Sequence, residues 1–559
     1  MKRARPATAP PDSAAAPADT GLARLPLLPG AARQATTRAL RHPVTVDTTA
    51  GVWPRVAATA ATDPDRAAVV TAAGTVTYDR LAHRVRQIRT ILHEHGCGTS
   101  DRVAVAGERG TDLIAAFLAI ESIGAAYVPL DRAWTDGRIA VTVRRIRPSC
   151  LLLLDVPDEA AARIARAVAS TATPVVRPPD HGAVPASDAA PRTIPGDEPR
   201  YILHTSGSSG TPKGTVVEHA GMMNHLWSMV DRLGLTPADR IAFTAPPSYV
   251  VSVWQMLTAL LIGAAVVVFD EPDTNFGRRL VAHAEHCAVT VLELVPTVLG
   301  WVMDHVMQAA APMPHLRVLL STGEALGPEL ARRVRAGLRH VQLFNAYGCT
   351  ECSDDVALHL VDETDLHQRR LPAGTPIANA VLYVLVEEGD GWRAAEPGEV
   401  GQLWVGGLPV SAGYWDDPEL TGAVFFADEF DPGSPTGRLY HTGDLAVFRD
   451  GVVHCLGRVD RQVKVAGIRV ELDGIEQLIA AVPGVVGCAV TAHRRDDRTE
   501  IVVRYVADTD IAAATFRRHL QDAVPPAALP RRWIRLDALP LNGNGKVDHH
   551  ALARNLSDP

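Results

Sequence analysis

His204-Thr-Ser-Gly-Ser-Ser-Gly-Thr-Pro-Lys213-Gly214 follows directly on the short apolar run that begins at Tyr201. Its three glycines carry no Cβ, so successive backbone N–H groups can turn inward around one anion. Five hydroxyls, from Thr205, Ser206, Ser208, Ser209 and Thr211, add donors, and Lys213 adds positive charge. That set suits a polyphosphate. Gly207 and Gly210 do not have the spacing of the G-x4-G-K-[ST] phosphate loop, so it would be a loop of another kind. Composition alone also fits a Ser/Gly surface turn.

Upstream of the loop, helix-like and strand-like stretches alternate. Arg80 to His95 carries Leu81, Val85, Ile88 and Leu92 on one helical face. Val103 to Val105 reads as a strand, Asp112 to Ile123 as a helix, and Ala125 to Val128 as a strand. Met256 to Phe269 is an apolar run of 14 residues, too short to span a bilayer, and reads as buried helix running into buried strand. Repeated units of this kind predict an α/β architecture with mixed or parallel sheets covered on both faces. Beyond about residue 375 the texture becomes β-rich, with runs at Val381 to Val386, Gly401 to Val405 and Val452 to Leu456. From Asp460 onward a small α+β unit is expected. It has helices near Gly474 to Ala481 and Ala512 to Ala523, and strands near Cys488 to Ala492 and Ile501 to Val506.

A chain of 559 residues exceeds one ordinary core, which predicts a large unit over 46–459 and a smaller one over 460–559. Residues 1–45 are rich in Pro and Ala and read as a disordered leader, without the apolar segment of a signal peptide. A net charge of −8 leaves no electrostatic footprint for nucleic acid or an anionic membrane. Seven scattered cysteines do not form a disulfide framework, so cytoplasm is the default compartment. Cys349 and Cys352 make a Cys-x-x-Cys pair, but no second Cys/His pair lies nearby to complete four ligands.

Motifs on both sides of the loop decide its reading. The loop resembles the phosphate-loop signature of the adenylate-forming superfamily, which includes nonribosomal peptide synthetase adenylation domains, acyl-CoA synthetases and luciferases. The resemblance runs in order from Val76-Thr-Tyr-Asp-Arg-Leu81 through Gly124-Ala-Ala-Tyr-Val-Pro-Leu-Asp131, Asn345-Ala-Tyr-Gly-Cys-Thr-Glu351 and Gly398-Glu-Val-Gly401 to Gly413-Tyr414. It continues through Tyr440-His-Thr-Gly-Asp-Leu445, Gly457-Arg-Val-Asp-Arg-Gln-Val-Lys464 and Asn544-Gly-Lys546, with Cys349 where the family usually has proline.

The resemblance implies attack of a carboxylate on the α-phosphate of ATP, then transfer of the acyl group to a thiol. Thr205, Ser206, Gly207, Ser208, Ser209, Gly210, Thr211 and Lys213 would hold the triphosphate, and Glu351 would bind Mg²⁺, for which a carboxylate is a hard ligand. Tyr347 would pack on adenine, with Gly323, Glu324, Asn345 and Thr350 about the nucleotide. Asp444 would accept the ribose hydroxyls, and Arg458 would contact ribose or phosphate. Lys546 would reach the substrate carboxylate during adenylation. Asp460 would be the hinge about which a mobile C-terminal domain turns, bringing Lys464 and Gly467 to the site for thioester formation.

The acid pocket departs from the pattern. In Tyr249-Val250-Val251-Ser252-Val253-Trp254, Val250 stands where domains for α-amino acids carry the aspartate that binds the α-ammonium. A buried ammonium there would lack a partner. The remaining lining carried over by resemblance is Trp254, Glu293, Leu320, Thr322, Ala346, Asp354 and Asp355. Three carboxylates in one cavity repel unless a cation joins them, which favours a basic β-amino acid such as β-lysine, or a guanidino acid. Alternatively Glu293 pairs with an Arg or His and Asp354–Asp355 is a solvated loop end, leaving a neutral aryl, keto or hydroxy acid. With 13 residues after Lys546, the enzyme reads as free-standing, its thiol supplied by a separate carrier protein or by coenzyme A. A non-catalytic relative would have lost Lys213, Glu351, Asp444, Arg458 or Lys546; all five are present.

Overall fold

The computed structural model describes residues 21–179, 192–205, 212–308, 312–459, 461–495, 498–540 and 547–554. Helix Tyr78–Glu94 opens on Thr77, whose hydroxyl accepts from the Arg80 N–H. Its stripe of Leu81, Val85, Ile88 and Leu92 is fully buried, as a face three to four residues apart should be against a sheet. Strand Cys150–Leu154 is buried at every position, because helices cover both of its faces.

Three sheets make up the large unit. In a six-stranded sheet, Arg102–Gly107 lies parallel to both Ala126–Pro129 and Cys150–Leu154. The strands that flank the glycine-rich loop belong to this sheet: Pro199–Thr205 pairs antiparallel with Lys213–Glu218, with Thr205 opposite Lys213. A nine-stranded sheet sets Val291–Leu294, Val318–Ser321 and Gln342–Cys349 side by side in parallel. Asp354–Leu360 then folds back antiparallel on the last of them.

The third, seven-stranded sheet is the β-rich region, and here the disordered-leader expectation is corrected. Residues 1–20 lie outside the described residues, but Ala31–Arg38 is a helix with Ala31 and Ala35 buried. Leu40 pairs with Leu382 at the edge of the sheet. The Leu28 N–H donates to Trp392 O at 2.9 Å, and the Trp392 N–H donates to Pro26 O at 2.8 Å. Composition hid this segment because a docked edge strand needs only a few apolar contacts once a sheet edge supplies its hydrogen bonds.

From residue 461 the chain has its own core, in which Ile475, Ile479, Val490, Val503, Phe516 and Leu520 pack together. It comprises the hairpin Gln462–Val465 and Ile468–Glu471, helix Leu472–Ala480, and the sheet of Val485–Arg495, Arg498–Ala507 and Arg532–Arg535. Among the described residues no helix is long and apolar enough to cross a membrane. The seven cysteines are free thiols, and no group of three or more His, Cys, Asp or Glu among the described residues could hold a metal ion.

Candidate active site

A cavity of about 880 Å³ opens where the sheets of the large unit face the C-terminal hairpin. Thr205 lies on its wall, with its hydroxyl buried and unpartnered among the described residues. The loop residues Ser206, Gly207, Ser208, Ser209, Gly210 and Thr211, together with Asp460 and Lys546, lie outside the described residues.

Lys213 is buried behind the wall, with Nζ 3.8 Å from Glu351 and 3.9 Å from Glu471. Burial and Arg469 push its ammonium down. Glu351, fully buried on the short turn after strand Gln342–Cys349, accepts from the Tyr414 hydroxyl at 2.7 Å. Burial alone would raise this carboxyl, but Arg469 and Lys213 outweigh it and hold it at about 2. Glu351 is therefore an anion at neutral pH, a state fit for a hard cation.

Tyr347, Asp444 and Arg458 form a second cluster. The Tyr347 hydroxyl donates to Asp444 at 2.5 Å, and Arg458 Nη1 donates to the other Asp444 oxygen at 3.0 Å. Asp444 and Arg458 are direct partners across two antiparallel strands, which fixes their meeting. Asn345 Nδ2 donates to Pro372 O at 2.6 Å, and Thr350 lines the cavity.

Glu324 joins the two units. One oxygen accepts from Thr297 N and Oγ1, at 3.1 and 2.7 Å, while the other accepts from Gly467 N at 3.1 Å. Gly467 has φ +79°, and a Cβ there would stand 2.7 Å from Val295 Cγ1. A Cβ at Gly323, itself at φ +80°, would be 3.7 Å from Gly467 Cα. Two glycines thus let the hairpin turn approach the cavity. Lys464 reaches the cavity from the same hairpin.

The acid pocket sits on adjacent strands of the nine-stranded sheet. Tyr249, Val250 and Val251, at the start of helix Val251–Leu261, line the cavity with Thr322, Ala346 and Asp354. Trp254, Glu293, Leu320 and Asp355 do not: they are buried behind the wall, which corrects their expected place on its surface. Glu293 Oε2 accepts from Trp254 Nε1 at 2.6 Å and from Gln255 Nε2 at 3.4 Å. A buried carboxyl without a charged partner takes up the nearest neutral donors, and among the described residues Glu293 has neither an Arg nor a His beside it. Asp354 and Asp355 open a buried strand and are not a solvated loop end. Asp355 accepts from the Thr322 hydroxyl at 3.0 Å. A Cβ at Gly348 would collide with the Asp354 backbone, and Asp354 itself has φ +104°. Only glycine allows this fold-back.

One oxygen each of Glu293, Asp354 and Asp355 is buried without a hydrogen-bond partner among the described residues. Burial and Asp355 push the Glu293 carboxyl well up, and burial with both neighbours does the same to Asp354. Burial raises Asp355 to about 6, against the pull of the Thr322 bond and Lys464.

The sequence reading missed Arg469, whose guanidinium meets Glu351. A signal was present: Ile468 and Val470 are buried, so alternation along the strand puts Arg469 and Glu471 together on the other face.

Residues 56–415 match the AMP-binding enzyme family and residues 474–546 its C-terminal domain. Malpinin synthetase of Mortierella alpina is 33% identical over 88% of this chain and 6% of its own length. Tyrocidine synthase 1 of Brevibacillus parabrevis is 29% identical over 88% of this chain and 43% of its own. The chain thus spans well under two thirds of either relative. A nonribosomal peptide synthetase protein containing adenylation and PCP domains, solved with a vinylsulfonamide inhibitor, superposes with a TM-score of 0.79 at 26% identity, over 92% of this chain and 86% of that one. An amide bond synthetase from Marinactinospora thermotolerans shares the fold, with a TM-score of 0.79 at 23% identity over 91% of this chain and 100% of that one.

Proposed function

The chain belongs to the AMP-binding enzyme family, and we propose that it adenylates a cationic carboxylic acid without an α-ammonium, such as a basic β-amino acid or a guanidino acid. The carrying observation is the set of Glu293, Asp354 and Asp355, each with a buried oxygen that no described residue satisfies. Val250 on the cavity wall offers an α-ammonium neither charge nor acceptor. An ammonium or guanidinium on the substrate's far end would meet Asp354 on the cavity wall, with Asp355 and Glu293 behind it adding negative charge, while its carboxylate stays towards the nucleotide.

ATP would sit with its base at Tyr347 and its ribose at Asp444, and its phosphates near Thr205 and Lys213. Lys546 would orient the acid carboxylate. Glu351 and its ionised carboxylate fit Mg²⁺, which would screen the phosphate charge when bound. In the arrangement seen, Arg469 pairs with that carboxylate instead, which matches a state after pyrophosphate has left, with the Lys464–Gly467 hairpin turned to the thioester step. The thiol is proposed to be the phosphopantetheine of a carrier protein, with coenzyme A as the alternative acceptor.

A pyrophosphate-exchange panel with α-amino, β-amino, guanidino and uncharged keto or aryl acids tests this reading. Exchange with β-lysine or a guanidino acid supports it. Exchange with an uncharged acid while the cationic acids stay inert overturns it. Loading of a holo-carrier against coenzyme A then separates the acceptors.

A further inference from the structure

Helix Asp136–Ile146 begins beside the cavity, capped by Thr135, and its third residue is Arg138. Arg138 is 5% exposed, and its guanidinium carbon lies 4.4 Å from the centre of the Trp134 ring. Among the described residues no acceptor bonds its guanidinium, and Nε is enclosed without a partner. Fully buried Arg200, by contrast, is paired with Glu198. Asp131 and Tyr249 are the groups whose charge reaches Arg138. The oxygens of Asp131 are already taken, by Ser248 Oγ at 3.0 Å and Ala133 N at 2.8 Å. Neighbouring His204 is held neutral, because burial, Arg138 and Arg145 push its imidazole down to about 3.

The geometry points to Arg138 as an anchor for a phosphate group in the cavity. A guanidinium supported over an indole presents its outer N–H groups as a fork that matches two phosphate oxygens. Thr205 on the same wall offers a further hydroxyl without a partner among the described residues. The position is the seam between the two units: Pro525 and Pro526 share the cavity wall with Trp134 and Arg138, and a Cβ at Gly137 would stand 3.5 Å from the Asp522 carboxyl carbon. Two phosphates could come here, the pyrophosphate released by adenylation and the phosphate of a pantetheine arm entering along the seam. This step rests on the adenylation and thiol-transfer reading above.

Calorimetric titration of inorganic pyrophosphate, 4′-phosphopantetheine and unphosphorylated pantetheine into the full chain needs no acid, so its outcome is independent of the exchange panel. Arg138→Gln should weaken pyrophosphate or 4′-phosphopantetheine about tenfold and leave pantetheine unchanged. Whichever phosphate loses affinity identifies the source. Trp134→Leu, which removes the supporting ring, should weaken the same ligand and serves where Arg138→Gln does not fold. Unchanged affinity for both phosphates in whichever variant folds, or an equal loss for pantetheine, overturns the assignment.

Discussion

The Arg469 guanidinium meets both carboxylate oxygens of Glu351 at 3.2 Å, placing a cation from the C-terminal hairpin on the carboxylate expected to hold magnesium. Lys213 approaches the same carboxylate from the large unit, at 3.8 Å. Both cations therefore share Glu351 in this arrangement, and a magnesium ion held by that carboxylate would have to displace Arg469. Arg469→Met should therefore slow thioester formation by about tenfold to a hundredfold, the size of a lost charged hydrogen bond. Pyrophosphate exchange should change by less than about threefold. Equal losses in the two assays would count against this role.

Val250→Asp tests the acid pocket from the other side. A carboxylate at the start of helix Val251–Leu261 gives an α-ammonium the partner it lacks. Exchange with α-lysine should rise about tenfold or more over the parent, while exchange with the natural acid falls. No gain with any α-amino acid would mean that Val250 does not face the substrate's α-carbon.

The pH dependence follows from Asp355, raised to about 6. Its folded form binds a proton more tightly than the unfolded chain does, so the stability Asp355 contributes without ligand should be lost as pH rises from about 4 to about 6, and the raised carboxyls of Glu293 and Asp354 should carry the fall to higher pH. Cationic acid binding should do the opposite, because it needs the ionised form, and KM should drop across the same window. Asp355→Asn should stabilise the ligand-free enzyme at pH 7.5 by about 2–3 kcal/mol, read by denaturant titration, and should abolish the pH-dependent part of KM. A less stable Asp355→Asn enzyme with an unaltered KM profile would refute the cation site.

Gly467→Val addresses the approach of the hairpin. The residue has φ +79° and no room for a Cβ against Val295, so the substitution combines backbone strain of about 1–2 kcal/mol with a clash. Thioester formation should drop about tenfold or more while adenylation, measured as hydroxamate formation, stays within about twofold. Loss of both activities with an unchanged melting temperature would contradict this division.

Local sequence alone determined the α/β layering and the small C-terminal unit. Both rest on short-range features: the stripe of Leu81, Val85, Ile88 and Leu92, and the continuous apolar strands. Such patterns are set by backbone geometry and burial, which neighbours in sequence decide. The relations that make the site were settled only by tertiary structure. Arg469 on Glu351, Gly467 on Glu324, and Glu293 under the Trp254 indole each join residues far apart in the chain. Strand order and domain arrangement bring them together, and no spacing rule encodes either. Docking of Ala31–Arg38 on the β-rich sheet belongs to the same class, because its stability comes from an edge that another segment provides. The charge state of the acid pocket is tertiary too. A carboxylate in a sequence is just an anion, but Glu293, Asp354 and Asp355 acquire their raised affinity for protons from shared burial and mutual repulsion.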